Sequence, residues 1–151
     1  MPTHKERKWV HHSADQMLDL VVSVDQYPEF LPWCTDARIT SKEVEGEKEV
    51  IVADLDVAFT IFRETFSSRV NTDRGARRID IDYLNGPFCH LANHWIFEQN
   101  EDGTCTIDFF IEFEFRSRAL KIAVSAIFHE AARRMVNAFA ARADALYGTA
   151  Q

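Results

Sequence analysis

The stretch TCTIDFFIEFEFRSRALKIAVSAIF, residues 104–128, changes the spacing of its apolar side chains near the middle. Apolar and polar residues alternate across 104–115, which is the pattern of a β-strand with one buried face. From 117 to 147 the apolar residues recur every three or four positions, which predicts one amphipathic helix. With a rise of about 1.5 Å per residue, that helix would be roughly 45 Å long. Gly148 is well placed to terminate it.

More alternating segments precede this stretch. The region from residue 36 to 115 is expected to form antiparallel strands, with segments at 49–57, 59–71, 78–84 and 90–99 separated by turns at 45–47, 72–75, 85–87 and 101–103. A first strand is predicted at 5–11. The element order is therefore strand, helix, short helix, six strands and long helix, which is typical of an α+β fold with one helix packed on a twisted sheet.

Two short helices are predicted after the first strand. Ser13 and Gln16 have the spacing of a capping box, in which each side chain hydrogen-bonds the other residue's backbone N–H. Met17, Leu20 and Val21 follow at helical spacing. A second helical turn is expected before Pro32, with Asp25 as its cap.

Composition and charge limit the classes of function. The 151 residues are 46% hydrophobic and 27% charged, which predicts one globular domain over 1–151. The net charge of −7 argues against DNA binding, although residues 116–151 hold six Arg or Lys against two Asp or Glu and could contact anionic lipid or RNA. The location is expected to be reducing and cytoplasmic, because the cysteine count is odd at three and the sequence has neither an apolar leader nor an apolar run of about 18 residues. Peripheral contact with the inner face of the membrane is a further expectation.

The segment YPEFLPWC, residues 27–34, concentrates apolar surface where regular structure is unfavourable. Its two prolines, four positions apart, each fix φ and remove a hydrogen-bond donor. The segment could plug a core, cover a pocket or bind a partner. Because the helices around it already supply a core, we interpret it as an apolar flap over one end of a cavity, opposite residues 86–91.

Three groupings of reactive side chains have commoner structural explanations. His90 and His94 share one face of a strand, as do Asp80 and Asp82 on the neighbouring strand, and a solvated polar stripe is expected there rather than a metal site. Cys34 is expected to be a half-buried thiol rather than a nucleophile. An acid–base pair could come from several strand carboxylates, but most of them are expected to be solvated; they are Asp54, Asp56, Glu64, Glu112 and Glu114. No catalytic residue and no metal ligand is predicted.

Arg142 lies within the apolar stripe of the long helix, beside Met135, Phe139 and Leu146. One interpretation is that its side chain extends to the rim of the sheet and interacts with the C-terminal end of the helix dipole. The other is a charge pair with a carboxylate from the sheet, or with the polar head of a ligand. Replacing Arg142 with Met would separate the two interpretations.

Several motifs together resemble the coenzyme Q-binding START-like family, which also includes bacterial proteins described as ribosome-association toxins. The most specific is YPxFLPWC at 27–34, and the others follow in the same order along 4–148. They are GPF at 86–88, Leu91, WxF at 95–97, MxxxFxxR at 135–142 and LYG at 146–148.

The resemblance implies a helix-grip fold, in which a seven-stranded antiparallel sheet wraps around a long C-terminal helix and encloses an apolar cavity. It also implies that the protein is a lipid chaperone and not an enzyme. Such a chaperone would carry ubiquinone or a related polyprenyl lipid for respiratory electron transport or quinone biosynthesis. Ubiquinone would be its ligand, and no cofactor would be required. A ribosome-associated inhibitor of subunit association and an aromatic cyclase are the alternatives, because one fold serves many functions. The residues expected to contact the ligand are Tyr27, Phe30, Leu31, Trp33, Phe59, Phe88, Leu91, Trp95, Phe109, Phe113, Phe128, Met135, Phe139 and Arg142.

Overall fold

The alternating segments form strands that join into one antiparallel sheet. A computed structural model describes residues 2–59 and 62–148, except for the side chains of Phe59 and Phe62. Within these ranges the sheet has seven strands in the order β1-β7-β6-β5-β4-β3-β2. Their bounds are Thr3–Val10 (β1), Cys34–Glu45 (β2), Lys48–Phe59 (β3), Phe62–Asp73 (β4), Arg78–Asn85 (β5), Phe88–Gln99 (β6) and Cys105–Phe115 (β7).

Two short helices follow the first strand, as predicted. Helix α1, Ala14–Val22, begins with the expected capping box, since Ser13 Oγ accepts from the Gln16 N–H at 3.1 Å and Gln16 Oε1 accepts from the Ser13 N–H at 3.0 Å. A 3₁₀ helix then covers Val24–Glu29. The prediction that Asp25 caps it is wrong, because Asp25 lies inside its first turn and no side chain caps its start.

The single C-terminal helix predicted over 117–147 is in fact two helices, α2 at Arg118–Ser125 and α3 at Phe128–Tyr147. Ser117 caps α2 by accepting from the Leu120 N–H, and the backbone leaves helical geometry at Ile127, with φ −117° and ψ 4°. The two helices pack on different elements, α2 on β7 and α3 on α1 and β1, so the chain must bend between them. No proline or glycine lies at the bend, and the apolar spacing therefore predicted one continuous helix. The 20 residues of α3 span about 30 Å.

The core between the sheet and α3 has two parts. At one end, a packed cluster joins α1 and α3 to the sheet, and its members include Met17, Ile79, Phe97, Phe109 and Phe139, each at most 2% exposed. At the other end, an aromatic cluster consists of Phe88, Phe113 and Phe128 and the half-buried side chains around them. In the described part of the chain, no helix is long and apolar enough to cross a membrane.

Candidate functional site

A cavity of about 300 Å³ lies between the sheet and the C-terminal helices. Strands β3 to β7 supply one wall, because every second residue of a strand points to the same face of the sheet. Helices α2 and α3 supply the opposite wall with side chains such as Leu120, Val124 and Met135. The result is an apolar chamber enclosed on most sides by aromatic and aliphatic groups.

Ten of the residues predicted to contact a ligand lie on the wall of this cavity. Their role in binding stays a prediction, but the fold brings them together from four separate parts of the chain. They are Tyr27, Leu31, Trp33, Phe88, Leu91, Trp95, Phe113, Phe128, Met135 and Phe139.

Three of the predicted contact residues lie off the cavity wall, and a fourth cannot be placed. Phe109 belongs to the packed cluster, where its ring meets that of Trp95 edge-on with the centroids 4.6 Å apart. Phe30 packs on the outer side of Phe139, at 5.2 Å between ring centroids. The side chain of Phe59 lies outside the described residues. Phe109, expected on the wall, and Phe30, expected at the gate, therefore do not line the cavity, and their contact with a ligand stays a prediction.

Arg142 also lies off the wall, and both interpretations of it need correction. Its guanidinium sits 3.7 Å from Glu29 Oε2 and 5.3 Å from the centre of the Phe30 ring. The partner therefore comes from the 3₁₀ helix and not from the sheet. The last turn of α3 contains no basic residue, so Arg142 lies too far from the helix end to interact with its dipole. Its Nε is buried and has no hydrogen-bond partner among the described residues.

The segment 27–34 combines a core plug with a cavity wall. Tyr27 is buried, its hydroxyl donates to the Val21 carbonyl, and burial raises the pKa of its phenol far above the usual value. Leu31, Pro32 and Trp33 then face the cavity. The carbonyl of Trp33, a residue with a positive φ of 68°, accepts from the Ala58 N–H at 2.8 Å, which fixes the segment to β3. The first half anchors the flap and the second half covers the cavity.

The connection between β5 and β6 contributes Pro87 to the same cavity, and the start of β6 contributes Phe88 and Leu91. Gly86 has φ 145°, and a Cβ at this position would lie 2.5 Å from the Cβ of Phe66. Only glycine lets the connection approach β4 so closely. The Phe88 ring stacks on Phe115 with the centroids 4.9 Å apart, so the predicted break at 85–87 positions an aromatic part of the wall.

Three polar side chains lie on the wall, and two of them were missed at the level of sequence. Glu64, one of the carboxylates considered above, and Ser68 come from β4, and Asn93 comes from β6. The signal that could have found them is the two-residue period, because Asn93 lies between Leu91 and Trp95 and shares their face. Two other polar groups on the wall, the Tyr27 hydroxyl and the Cys34 thiol, already have hydrogen-bond partners. The Cys34 thiol donates to the Asp36 carbonyl, and burial raises its pKa to about 11.

The remaining reactive groupings lie outside the cavity. His90 pairs with Glu112 at 3.0 Å, and His94 stacks on Phe110 while burial lowers its pKa. Within the described ranges, no group of three or more His, Cys, Asp or Glu side chains could hold a metal ion. Of the five carboxylates considered as acid–base candidates, only Glu64 lies on the cavity wall.

The fold and its cavity define a START-like, helix-grip protein. The model of the family described as polyketide cyclase / dehydrase and lipid transport matches residues 10–140, and the chain belongs to this family. The predicted family and the predicted fold are thus confirmed.

Comparison with individual proteins points in two functional directions. The chain is 35% identical to "Ribosome association toxin RatA" of Vibrio cholerae, over 92% of this chain and 93% of that protein. It is 33% identical to "Coenzyme Q-binding protein COQ10 homolog B, mitochondrial" of Xenopus laevis, over 96% of this chain and 59% of that protein. Among solved structures, the 18 kDa protein CC1736 from Caulobacter crescentus is 38% identical and superposes with a TM-score of 0.80, covering 99% of this chain and 100% of CC1736.

Proposed function

We propose that the protein binds an apolar small molecule with a flat, weakly polar ring, such as ubiquinone or a related polyprenyl lipid, and acts as its carrier. The observation that supports this proposal most strongly is the cavity itself. A carrier site needs apolar walls, a few polar groups to orient the head of the ligand, and a way in. The cavity combines aromatic walls, polar groups at Glu64, Ser68 and Asn93, and a covering segment built around two prolines.

The size of the cavity favours binding of the ring and the start of the tail. Small-molecule sites in proteins range from about 300 to 1,000 Å³, and the cavity, at about 300 Å³, is at the lower limit. The rest of a polyprenyl tail then extends out of the cavity. We propose that the tail leaves between Trp33, in the segment 27–34, and Leu91, near the start of β6, which both lie on the cavity wall.

The side chains that face the cavity support a carrier more than an enzyme. An aromatic cyclase needs an acid and a base close to one substrate. Among the described wall residues, Glu64 is accompanied only by the Tyr27 phenol and the Cys34 thiol, and both of these have raised pKa values. The relative named for coenzyme Q binding gives the proposed ligand class independent support. Delivery of such a lipid would serve respiratory electron transport or quinone biosynthesis.

Calorimetric titration with a short-tailed ubiquinone tests the proposal. The variant Ala131→Trp introduces an indole from α3 into the cavity, and the control Arg134→Trp adds the same ring at an exposed position of the same helix. We expect the wild-type protein and the control to bind the quinone, and Ala131→Trp to bind it at least about tenfold more weakly, a loss of about 1.4 kcal/mol. Absence of binding by the wild-type protein, or equal binding by Ala131→Trp, would overturn the proposal.

Contact with the ribosome is a second candidate function, and the names of the relatives favour it. RatA proteins match nearly the whole chain at 35% identity. The basic C-terminal segment supports it less, because Arg133 and Arg134 both pair with Glu130 and Lys121 pairs with Glu114. Co-sedimentation with ribosomal subunits at increasing salt concentrations tests this candidate. Binding that weakens steeply with salt is expected, and absence of co-sedimentation at low salt would contradict it.

A further inference from the structure

The polar groups on the cavity wall have hydrogen-bonding roles that distinguish between ligands. Glu64 makes no hydrogen bond or ion pair with another described residue, and an ionised carboxylate can only accept hydrogen bonds. Asn93 Nδ2 donates to the Phe110 carbonyl at 2.7 Å, which identifies this atom as the nitrogen. The amide oxygen of Asn93, which has no partner among the described residues, is therefore an acceptor available to a ligand.

The other polar wall groups do not offset these two acceptors. The Tyr27 hydroxyl already gives its proton to the Val21 carbonyl. The Ser68 hydroxyl can donate or accept as the ligand requires. Trp95 also lies on the wall, and an indole N–H donates equally to a ring carbonyl and to a ring hydroxyl, so it would not discriminate between them. The wall is thus matched to a ligand that brings its own donors.

The two redox forms of a quinone differ in this property. The oxidised ring has carbonyl groups, which only accept, so Glu64 and Asn93 would each face an acceptor or have no partner. The reduced ring has hydroxyl groups, and each of them can donate. An acceptor that the bound ring shields from water and leaves unpaired weakens binding, and a charged acceptor does so more strongly. Each unmatched acceptor on the wall therefore weakens binding of the oxidised form.

The positions of the polar groups fit a ring with hydroxyl groups on opposite edges. Glu64 and Ser68 are four residues apart on β4 and share one face, so their Cα atoms are separated by about 13 Å. Glu64 pairs with Val57 near the end of the β3–β4 ladder, whereas Asn93 lies opposite Ile81 near the middle of the sheet. A ring lying between these positions can direct one hydroxyl toward Glu64 and the other toward Ser68 and Asn93.

We infer that the cavity binds the reduced, hydroquinone form of its ring lipid in preference to the oxidised quinone, with Glu64 as the main specificity-determining residue. This inference rests on the proposed function, because it concerns the same cavity and the same class of ligand. A lipid with a phenolic ring offers the same donors and would be bound through the same groups.

Anaerobic titration with a short-tailed ubiquinol and with the matching ubiquinone tests the inference. We expect the ubiquinol to bind at least about tenfold more tightly. By linkage, a tenfold preference for the reduced form raises the midpoint potential of the bound two-electron couple by about 30 mV, which redox titration of the complex measures independently. A phenol with the same tail but one hydroxyl is expected to bind between the two forms.

The variant Glu64→Gln supplies the matched test, because an amide of the same shape both accepts and donates. We expect it to bind the quinone more tightly than the wild-type protein does and to lower the preference for the quinol severalfold. Glu43→Gln, at an exposed position of β2, is the control and should leave the preference unchanged. Equal affinity of the wild-type protein for the two forms, or an unchanged preference in Glu64→Gln, would overturn the inference alone. If neither form binds to the wild-type protein, the proposed function fails as well.

Discussion

The two ends of the core use the same kinds of residue for different purposes. The packed cluster and the aromatic cluster both contain phenylalanines that are less than 10% exposed, such as Phe97 in the first and Phe113 in the second. In the packed cluster, α1 lies over the end of the sheet and its side chains fill the space, with Met17 fully buried. Over the aromatic cluster the covering element is the short helix α2, and members of both clusters line the cavity together with Leu31 and Trp33 of the segment 27–34.

The difference teaches that the covering element, and not aromatic content, determines whether a phenylalanine belongs to a core or to a binding wall. A helix with a wide apolar face can bury the sheet completely. The prolines of the segment 27–34 prevent a long regular helix there, so its first half fills core space while its second half borders the cavity. Substitutions at the packed end should therefore lower stability, whereas substitutions at the cavity end should lower ligand affinity.

The largest expected effect is at the packed end. Phe109→Ala removes a ring that is 2% exposed and packs against Trp95. We expect the free energy of unfolding to fall by about 3–5 kcal/mol, as for other buried phenylalanines. Urea unfolding measures the change. Phe110→Ala, on the half-buried outer face of the same strand, should cost much less. Similar losses in the two variants would contradict the assignment of Phe109 to the core.

Within the segment 27–34, two neighbouring aromatics should separate stability from binding. Phe30 packs on Phe139 and Arg142 outside the cavity, whereas Trp33 faces the cavity. Phe30→Ala should lower the free energy of unfolding by about 1–2 kcal/mol through lost apolar burial and leave ligand affinity unchanged. Trp33→Ala should weaken quinone binding about tenfold, close to 1.4 kcal/mol, and change stability less. Urea unfolding measures the stability of both variants, and calorimetry measures their affinity for the quinone. Loss of stability in Trp33→Ala with unchanged affinity would show that Trp33 fills the core instead.

Tyr27 should make stability depend on pH in alkaline solution. Burial raises the pKa of its phenol above the usual value of 10.0, so the folded protein keeps a proton that the unfolded chain loses. The stabilisation is complete below about pH 10 and decreases as the pH rises, at up to about 1.4 kcal/mol per pH unit. Tyr27→Phe should remove this part of the slope, and it should cost about 1 kcal/mol at neutral pH through loss of the hydrogen bond to Val21. Equal slopes between pH 10.5 and 11.5 in chemical unfolding would contradict the role of Tyr27.

Arg142→Met should have the smallest effect. The guanidinium is 3.7 Å from a glutamate side chain that is 56% exposed, and such pairs contribute about 0–1 kcal/mol. A methionine would keep the packing on Phe30 and remove the buried Nε that has no described partner. We expect stability within about 1 kcal/mol of the wild-type value and unchanged quinone affinity. A large loss of affinity would instead place Arg142 at the ligand.

Much of the fold followed from local patterns, because period and capping are local properties. The two-residue alternation located the strands to within a few residues, and Ser13 with Gln16 marked the start of α1. The break between α2 and α3 could not be predicted, because nothing in residues 126–127 disfavours a helix and the bend arises from packing on different elements. The partner of Arg142 was missed for the same reason, since Glu29 approaches it only through tertiary structure.

The site was only partly predictable, because residue type does not reveal which side of a wall a ring occupies. Phe109 and Phe113 share one face of β7 and have the same chemistry, yet only Phe113 reaches the cavity. The mixed face that Glu64 shares with Phe66 suited either the end of a cavity or a sheet edge, and only the position of β4 places Glu64 on the cavity wall. In both cases the deciding information is the position along the strand relative to the covering helix, and the sequence does not encode that position locally.

Mass spectrometry of an organic extract tests the central claim most directly. We propose to extract the wild-type protein and the Ala131→Trp variant after purification from the same quinone-producing host without detergent. The account predicts a prenylated ring lipid in near-stoichiometric amount with the wild-type protein and its near absence from the filled-cavity variant. No such lipid with the wild-type protein, or equal amounts with both proteins, would contradict the claim that this cavity is a lipid-binding site.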